Sequence, residues 1–242
     1  RKLLSVLLAF ALILTLLPTA AFAAYSDTGN HWASQEIAKW SDMGIIEGSN
    51  DIFRPDDPIT RGEMAVIIDR LMKYRIKAEN IFADLEQDFY TDAVLKANVA
   101  GVILGDADKV RPTDKITREE AAVMLGRSLG ISESTTAPSF SDASDISSWA
   151  RGFVSAMSAK QYVEGDAGRF NPKDPITRAE TVKILDNCIS AVYSEGKEYT
   201  GDVSGIAIVN APGAILKDMT ITGDLIIAEG VGSGDVTLEN VK

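Results

Sequence analysis

Ile59-Thr60-Arg61-Gly62-Glu63 is followed 57 residues later by Ile116-Thr117-Arg118-Glu119-Glu120, and 60 residues after that by Ile176-Thr177-Arg178-Ala179-Glu180. Thr with Glu three residues on is the sequence form of a capping box: Thr takes the N3 amide, and Glu reaches back to the N-cap amide. Thr60 and Glu63, Thr117 and Glu120, and Thr177 and Glu180 are therefore expected to cap a helix each. Apolar residues follow at helical spacing: Ala65, Ile68, Met72; Ala122, Leu125, Leu129; Val182, Leu185, Ile189. Such helices carry one stripe to bury and cannot bury it alone, so the copies should pack on one another.

Working backwards from the motif, other positions fall into register. Pro55, Pro112 and Pro172 coincide, as do Phe53, Val110 and Phe170, and Gly48, Gly105 and Gly165. Further back, Trp32, Phe89 and Trp149 each stand twelve residues before Gly44, Gly101 and Gln161. Asp27, Asp84 and Asp142 open the copies, each two residues after an aromatic (Tyr25, Phe82, Phe140), and the third copy has two extra residues before Trp149. Each copy reads as helix, loop, helix, with Ile37, Val94 and Val154 on the inner face of the first helix. Gly and Pro punctuate the loop between.

Thr and Glu are accounted for by capping, but Arg61, Arg118 and Arg178 are not. Arg in the first turn opposes the macrodipole, at a cost of about 0.3–1 kcal/mol. Three in the same place suggest a shared role. With free amides at the helix N-terminus, a guanidinium fork suits a carboxylate or phosphate. The plainer alternative is that each Arg pairs with a nearby Asp such as Asp56, Asp57 or Asp114. Trp32 and Trp149 could stack on a sugar ring or lie in the core. Asp27, Asp84 and Asp142 could accept sugar hydroxyls or cap the first helix.

Asp-x4-Trp-Ala, Gly-Ile-Ile-x-Gly, Phe-x-Pro and Ile-Thr-Arg-x-Glu, in triplicate from about Tyr25 to Tyr193, resemble the S-layer homology domain family. The resemblance implies a mainly α fold: three helix-loop-helix repeats in a pseudo-threefold assembly around a central helix bundle. It also implies grooves between copies that bind an anionic secondary cell-wall polysaccharide, often pyruvylated. The polysaccharide contacts it implies are Arg61, Arg118, Arg178, Asp27, Asp84, Asp142, Trp32, Trp149, Gly48, Gly105 and Gly165. This sequence departs at Phe89, Gln161, Val110 and Lys115, so the grooves should not be equivalent. The groove beside Gln161 is expected to contribute least. Cell-wall polysaccharide is the expected partner, with self-association in a surface layer as a further one.

The N-terminus sets the compartment. Arg1 and Lys2 precede an apolar run from Leu3 to Leu17, then Pro18 and Ala21-Phe22-Ala23, which is the pattern of a secretory signal peptide cut after Ala23. The run is shorter than the roughly 20 apolar residues of a spanning helix, so no membrane insertion is expected after cleavage. The chain opens on Arg1 rather than Met, so at least its first residue is expected to be missing. Without Arg1 and Lys2 the net charge of −11 becomes −13, which disfavours nucleic acid as a partner. Cys188 is the only cysteine, so no intrachain disulfide forms, and its apolar neighbours place it in the core.

The organisation expected is a signal peptide at 1–23, repeats at 25–75, 82–130 and 140–193, linkers at 131–139 and 194–202, and a β-rich segment at 203–242. Ile206–Val209, Met219–Ile221, Leu225–Ile227 and Val236–Leu238 are β-prone runs between Gly, Asp and Asn. Likeness around Met219–Ile221 and Val236–Leu238 suggests rungs of a parallel β-solenoid that stops early; a small closed β-module is the alternative. Residues 25–193 should then fold without the tail. Two function classes follow: a non-catalytic anchor, or an anchored carbohydrate-active enzyme whose catalytic part lies in or beyond the β-segment. No catalytic constellation, cofactor or metal is expected from the residues present: His31 matches Asp88 and Ser148, and Asp106 and Asp108 begin a calcium-loop pattern without completing it.

Overall fold

The computed structural model describes residues 25–242, so the signal peptide expected at 1–23 lies outside the described residues. Among the described residues three helix pairs come first: α1 (Ser34–Asp42) and α2 (Arg61–Met72), α3 (Thr91–Val99) and α4 (Arg118–Ser128), α5 (Ser148–Ala159) and α6 (Arg178–Cys188). The two extra residues of the third copy are taken up by a 3₁₀ turn at Ala143–Asp145. Among the described residues no helix is long and apolar enough to cross a membrane.

The expected inner faces are buried: Ile37, Val94 and Val154 are fully enclosed, as are Ala65, Ile68, Ala122 and Leu125. Cys188 lies in the same core, and burial pushes its thiol pKa up to about 12, so it packs as a small apolar group. The helices pair across copies. Each second helix packs on the first helix of the next copy: α2 on α3, α4 on α5, and α6 back on α1. Lys39 and the buried Trp40 close this last contact, both donating to Asp186 Oδ1, at 2.6 and 3.1 Å.

A ring of backbone bonds joins the copies at their centre. Ile59 N donates to Ile176 O (3.0 Å), Ile176 N to Ile116 O (3.1 Å) and Ile116 N to Ile59 O (3.1 Å). All three isoleucines are buried, so each amide and carbonyl must find a protein partner, and the ring supplies it.

Ile189 departs from expectation. It does not continue the α6 stripe; the helix ends at Cys188, and Ile189 opens β1 (Ile189–Tyr193). Five more strands follow: β2 (Glu198–Tyr199), β3 (Ile206–Val209), β4 (Ala214–Met219), β5 (Leu225–Ile227) and β6 (Val236–Val241). They form two parallel three-stranded sheets, β1-β3-β5 and β2-β4-β6, so successive strands alternate between sheets. The segment 194–202, expected to be a linker, carries β2, which pairs with β4. The sheets do not close, which excludes the closed β-module. The run expected at Met219–Ile221 is also shifted: the strand is Ala214–Met219, and Met219 pairs with Val241.

Strand β3 shows why this region is not a loose tail. Its side chains alternate: Ile206 and Ile208 join the helical core, while Ala207 and Val209 face the second core between the sheets. A parallel strand buried on both faces reads as a continuous apolar run, as Ile-Ala-Ile-Val does.

Candidate binding grooves

The capping boxes form in all three copies: the Thr side chain accepts from the N3 amide and the Glu side chain accepts from the N-cap amide. The remaining first-turn amides are also taken. Arg61 N donates to Asp114 O, Arg118 N to Asp174 O and Arg178 N to Asp57 O, while Gly62, Glu119 and Ala179 donate to the Pro112, Pro172 and Pro55 carbonyls. The helix N-termini therefore offer no open amide cradle to an anion, contrary to expectation. Their donors are spent joining copies.

The arginines follow the same plan. Arg61 Nη1 reaches Glu120 Oε1 at 3.0 Å, Arg118 Nη1 reaches Glu180 Oε1 at 2.8 Å, and Arg178 Nη1 lies 3.6 Å from Glu63 Oε1. Each Arg thus meets the capping Glu of the next copy, not Asp56, Asp57 or Asp114. Their Nη2 atoms point at carbonyls just before the loop glycines: Leu104 (3.5 Å), Glu164 (2.9 Å) and Glu47 (2.7 Å). Arg118 Nε also donates to Phe170 O and Arg178 Nε to Phe53 O, and each guanidinium stacks over the same Phe ring. Val110 stands at this place in the second copy, and Arg61 Nε is buried without a hydrogen-bond partner among the described residues. Burial lowers the pKa of Arg61 and of Arg178, with Glu120 and Glu63 opposing it.

The opening aspartates neither cap the first helix nor point free. Asp27 accepts from Phe53 N and Arg54 N, Asp84 from Val110 N and Arg111 N, and Asp142 from Phe170 N and Asn171 N, all at 2.6–2.9 Å. They fasten the Phe-x-Pro loop of their own copy, or Val-x-Pro in the second. Gly48, Gly105 and Gly165 are equally structural: a Cβ there would strike the Tyr25, Phe82 or Phe140 ring and a neighbouring carbonyl.

The aromatic positions are exposed: Trp32 by 59%, Phe89 by 69% and Trp149 by 48%. Two grooves run beside Phe89 and Trp32. One, of about 400 Å³, combines Gly48 and Phe53 of the first copy, Phe89 of the second and Arg178 of the third. The other, of about 580 Å³, combines Gly165 of the third copy, Trp32 of the first and Arg118 of the second. Each draws corresponding parts from all three copies. Sequence reasoning missed Arg54 and Arg70 in the first groove and Asn171 and Lys183 in the second. The register of the copies held the clue for Arg54, Arg111 and Asn171, which share one column between Phe or Val and Pro. Gln161 takes the left-handed conformation of Gly44 and Gly101, where those glycines face open space, so its side chain does not obstruct a backbone approach.

Residues 24–65, 81–122 and 139–182 match the S-layer homology domain. The chain is 34% identical over 172 residues to an amylopullulanase of Thermoanaerobacterium thermosulfurigenes, covering 66% of this chain and 9% of that protein. It is 32% identical over 170 residues to the exoglucanase XynX of Acetivibrio thermocellus, covering 66% and 16%. It is 26% identical over 205 residues to the surface-layer 125 kDa protein of Lysinibacillus sphaericus, covering 81% and 17%. The chain thus spans less than a fifth of these relatives' lengths. With all three copies matched to one domain, the chain belongs to the S-layer homology domain family, whose members are anchored to the cell wall at the cell surface.

Proposed function

We propose that the chain attaches itself, non-covalently, to an anionic secondary cell-wall polysaccharide that enters the grooves between copies. The observation that carries this is the exposed aromatic at the rim of each groove, set against polar and cationic groups supplied by two other copies. An aromatic face suits the apolar face of a sugar ring, and guanidinium groups suit its acid substituent. Trp32 and Phe89 supply the stacking faces of the two grooves, and Trp149 holds the same exposed position in the third copy. Arg61, Arg118 and Arg178 build the floors and present what remains of their charge. Asp27, Asp84 and Asp142 act by positioning the loops, and Gly48, Gly105 and Gly165 by letting those loops pack closely. We read the ring of helices as a pseudo-threefold assembly, the sheets as opening turns of a parallel β-solenoid, and residues 1–23 as a secretory signal peptide.

The test is sedimentation of the purified protein with wall sacculi. Binding is expected to native sacculi and to be lost when non-peptidoglycan polysaccharide is stripped from them. Undiminished binding to bare peptidoglycan would refute the assignment.

A second reading concerns what the anchor carries. Similarity to an amylopullulanase and an exoglucanase favours an anchored carbohydrate-active enzyme whose catalytic part lies outside the three repeats. Similarity to a surface-layer protein favours a structural role in a surface lattice.

A further inference from the structure

We propose, resting on the polysaccharide reading above, that Arg54 reads the carboxylate of the anionic sugar, and that it does so in the groove of the first copy. Arg54, Arg111 and Asn171 occupy one column and all adopt left-handed backbone, with φ of 58°, 51° and 54°. Asn tolerates that conformation; Arg does so at a cost. The conformation is enforced by the opening aspartates, through Asp27 Oδ2 to Arg54 N at 2.6 Å and its counterparts at Asp84 and Asp142. Backbone strain retained at a groove residue points to a role for its side chain.

Arg54 is also the least committed cation of its groove. Arg178 is held by the Phe53 and Glu47 carbonyls, and Arg70 donates to Glu47 Oε2 at 2.7 Å. Arg54 is half exposed, and its nearest ion-pair partner, Asp57, is 3.9 Å away. Its counterpart Arg111 is engaged differently, donating to Glu120 Oε1 at 3.3 Å. Arg54 and Arg178 line the same groove, and burial and then Arg54 lower the pKa of Arg178 against Glu63, Tyr25 and Asp57, so the two cations repel across it. A carboxylate lodged beside them relieves that repulsion.

The two grooves differ in charge balance. Arg54, Arg70 and Arg178 face Glu47 and Glu63 in the first copy's groove. In the third copy's groove Arg118 and Lys183 face Glu164, Asp166, Asp174 and Glu180, and Asn171 stands in the Arg54 column. The third copy's groove therefore suits a neutral sugar of the same polysaccharide, stacked on Trp32, while the first copy's groove takes the acid-bearing one.

The experiment uses the full chain with two probes: native wall sacculi, and the same sacculi with carboxyl groups reduced to alcohols. Arg54→Asn is expected to bind native sacculi about tenfold more weakly, the loss of one charge-assisted contact, and reduced sacculi as the parent protein does. Arg54→Lys should keep part of the preference, since an ammonium lacks the planar fork. Because Asn suits left-handed backbone, Arg54→Asn should melt no lower than the parent, so a binding loss cannot be ascribed to misfolding. Equal binding of parent and Arg54→Asn to native sacculi, or an equal loss on both probes, overturns the role of Arg54 while leaving the polysaccharide reading intact. Parent protein that binds stripped peptidoglycan as well as native sacculi overturns both.

Discussion

Asp142 illustrates what a single residue does here that its sequence neighbourhood cannot reveal. Its carboxylate accepts from Phe170 N and Asn171 N, both at 2.8 Å, donors 28 and 29 residues along the chain. From sequence it could be a sugar contact or a helix cap, because only nearby donors can be inferred locally. Burial pushes its pKa up, but the amides of Phe170, Asn171 and Asp142 itself, with Arg169, more than offset this, and the pKa lies below the ordinary carboxylate value. A lowered folded pKa contributes stability above the unfolded value of about 3.9, and that stability is lost as pH falls through the folded value. Asp142→Asn is expected to cost about 1.5–3 kcal/mol near neutral pH, because one amide oxygen cannot serve both donors with charge. Melting curves from neutral to acid pH should show the variant lower at neutrality and flatter across the acid limb. Parallel curves for both proteins would show that the carboxylate's charge is not what holds the loop.

At the scale of the helix, one carboxylate does two jobs. Glu180 Oε2 accepts from the Thr177 amide as a cap, and Oε1 accepts from Arg118 of the preceding copy. The sequence showed only the local cost of Arg at a helix start, which alone implies that Arg→Ala leaves stability unchanged or raises it. The structure reverses that expectation. Arg118 donates to Glu180, Phe170 and Glu164, all in the next copy, and its removal takes away all three of these inter-copy bonds. Arg118→Ala should therefore lower stability by about 1.5–3 kcal/mol in urea denaturation. Arg61→Ala should cost less, since Val110 gives Arg61 no ring to stack on and its Nε is already without a partner among the described residues. Equal midpoints for both variants would contradict this ranking. Binding loss on Arg→Ala at these positions thus mixes contact with architecture, which is why Arg54 makes the cleaner probe.

Across the whole molecule, the helices and sheets share a core. Ile206, Ile208 and Ala228 pack with the helical residues, β1 continues directly from α6, and Asn210 Nδ2 donates to Leu71 O at 2.7 Å. Glu229 Oε2 accepts from Arg75 N at 2.9 Å just beyond α2. Residues 25–193, expected from sequence to stand alone, should still form helix but with β1 unpaired and an apolar face uncovered. Circular dichroism should show a helical fragment with a lower melting temperature than the full chain, and it should bind a hydrophobic dye. A fragment melting with the full chain and binding no dye would establish two independently stable bodies.

The sequence by itself determined the three copies, the caps and the buried stripes, because capping and helical periodicity act over three to seven residues and leave a local imprint. It also supplied the family, since triplicate motifs carry that resemblance. What only the tertiary structure decided is where the repeated charges and aromatics point: Arg118 to the next copy's Glu180, Asp142 to its own distant loop, and Trp32 out into water beside the third copy's groove. The same holds for Ile189, whose apolar side chain fits a helical stripe or a strand equally well until β3 arrives to pair with it. Those choices depend on partners about 17 to 130 residues away, set by how the ring closes and how the sheets lie against it.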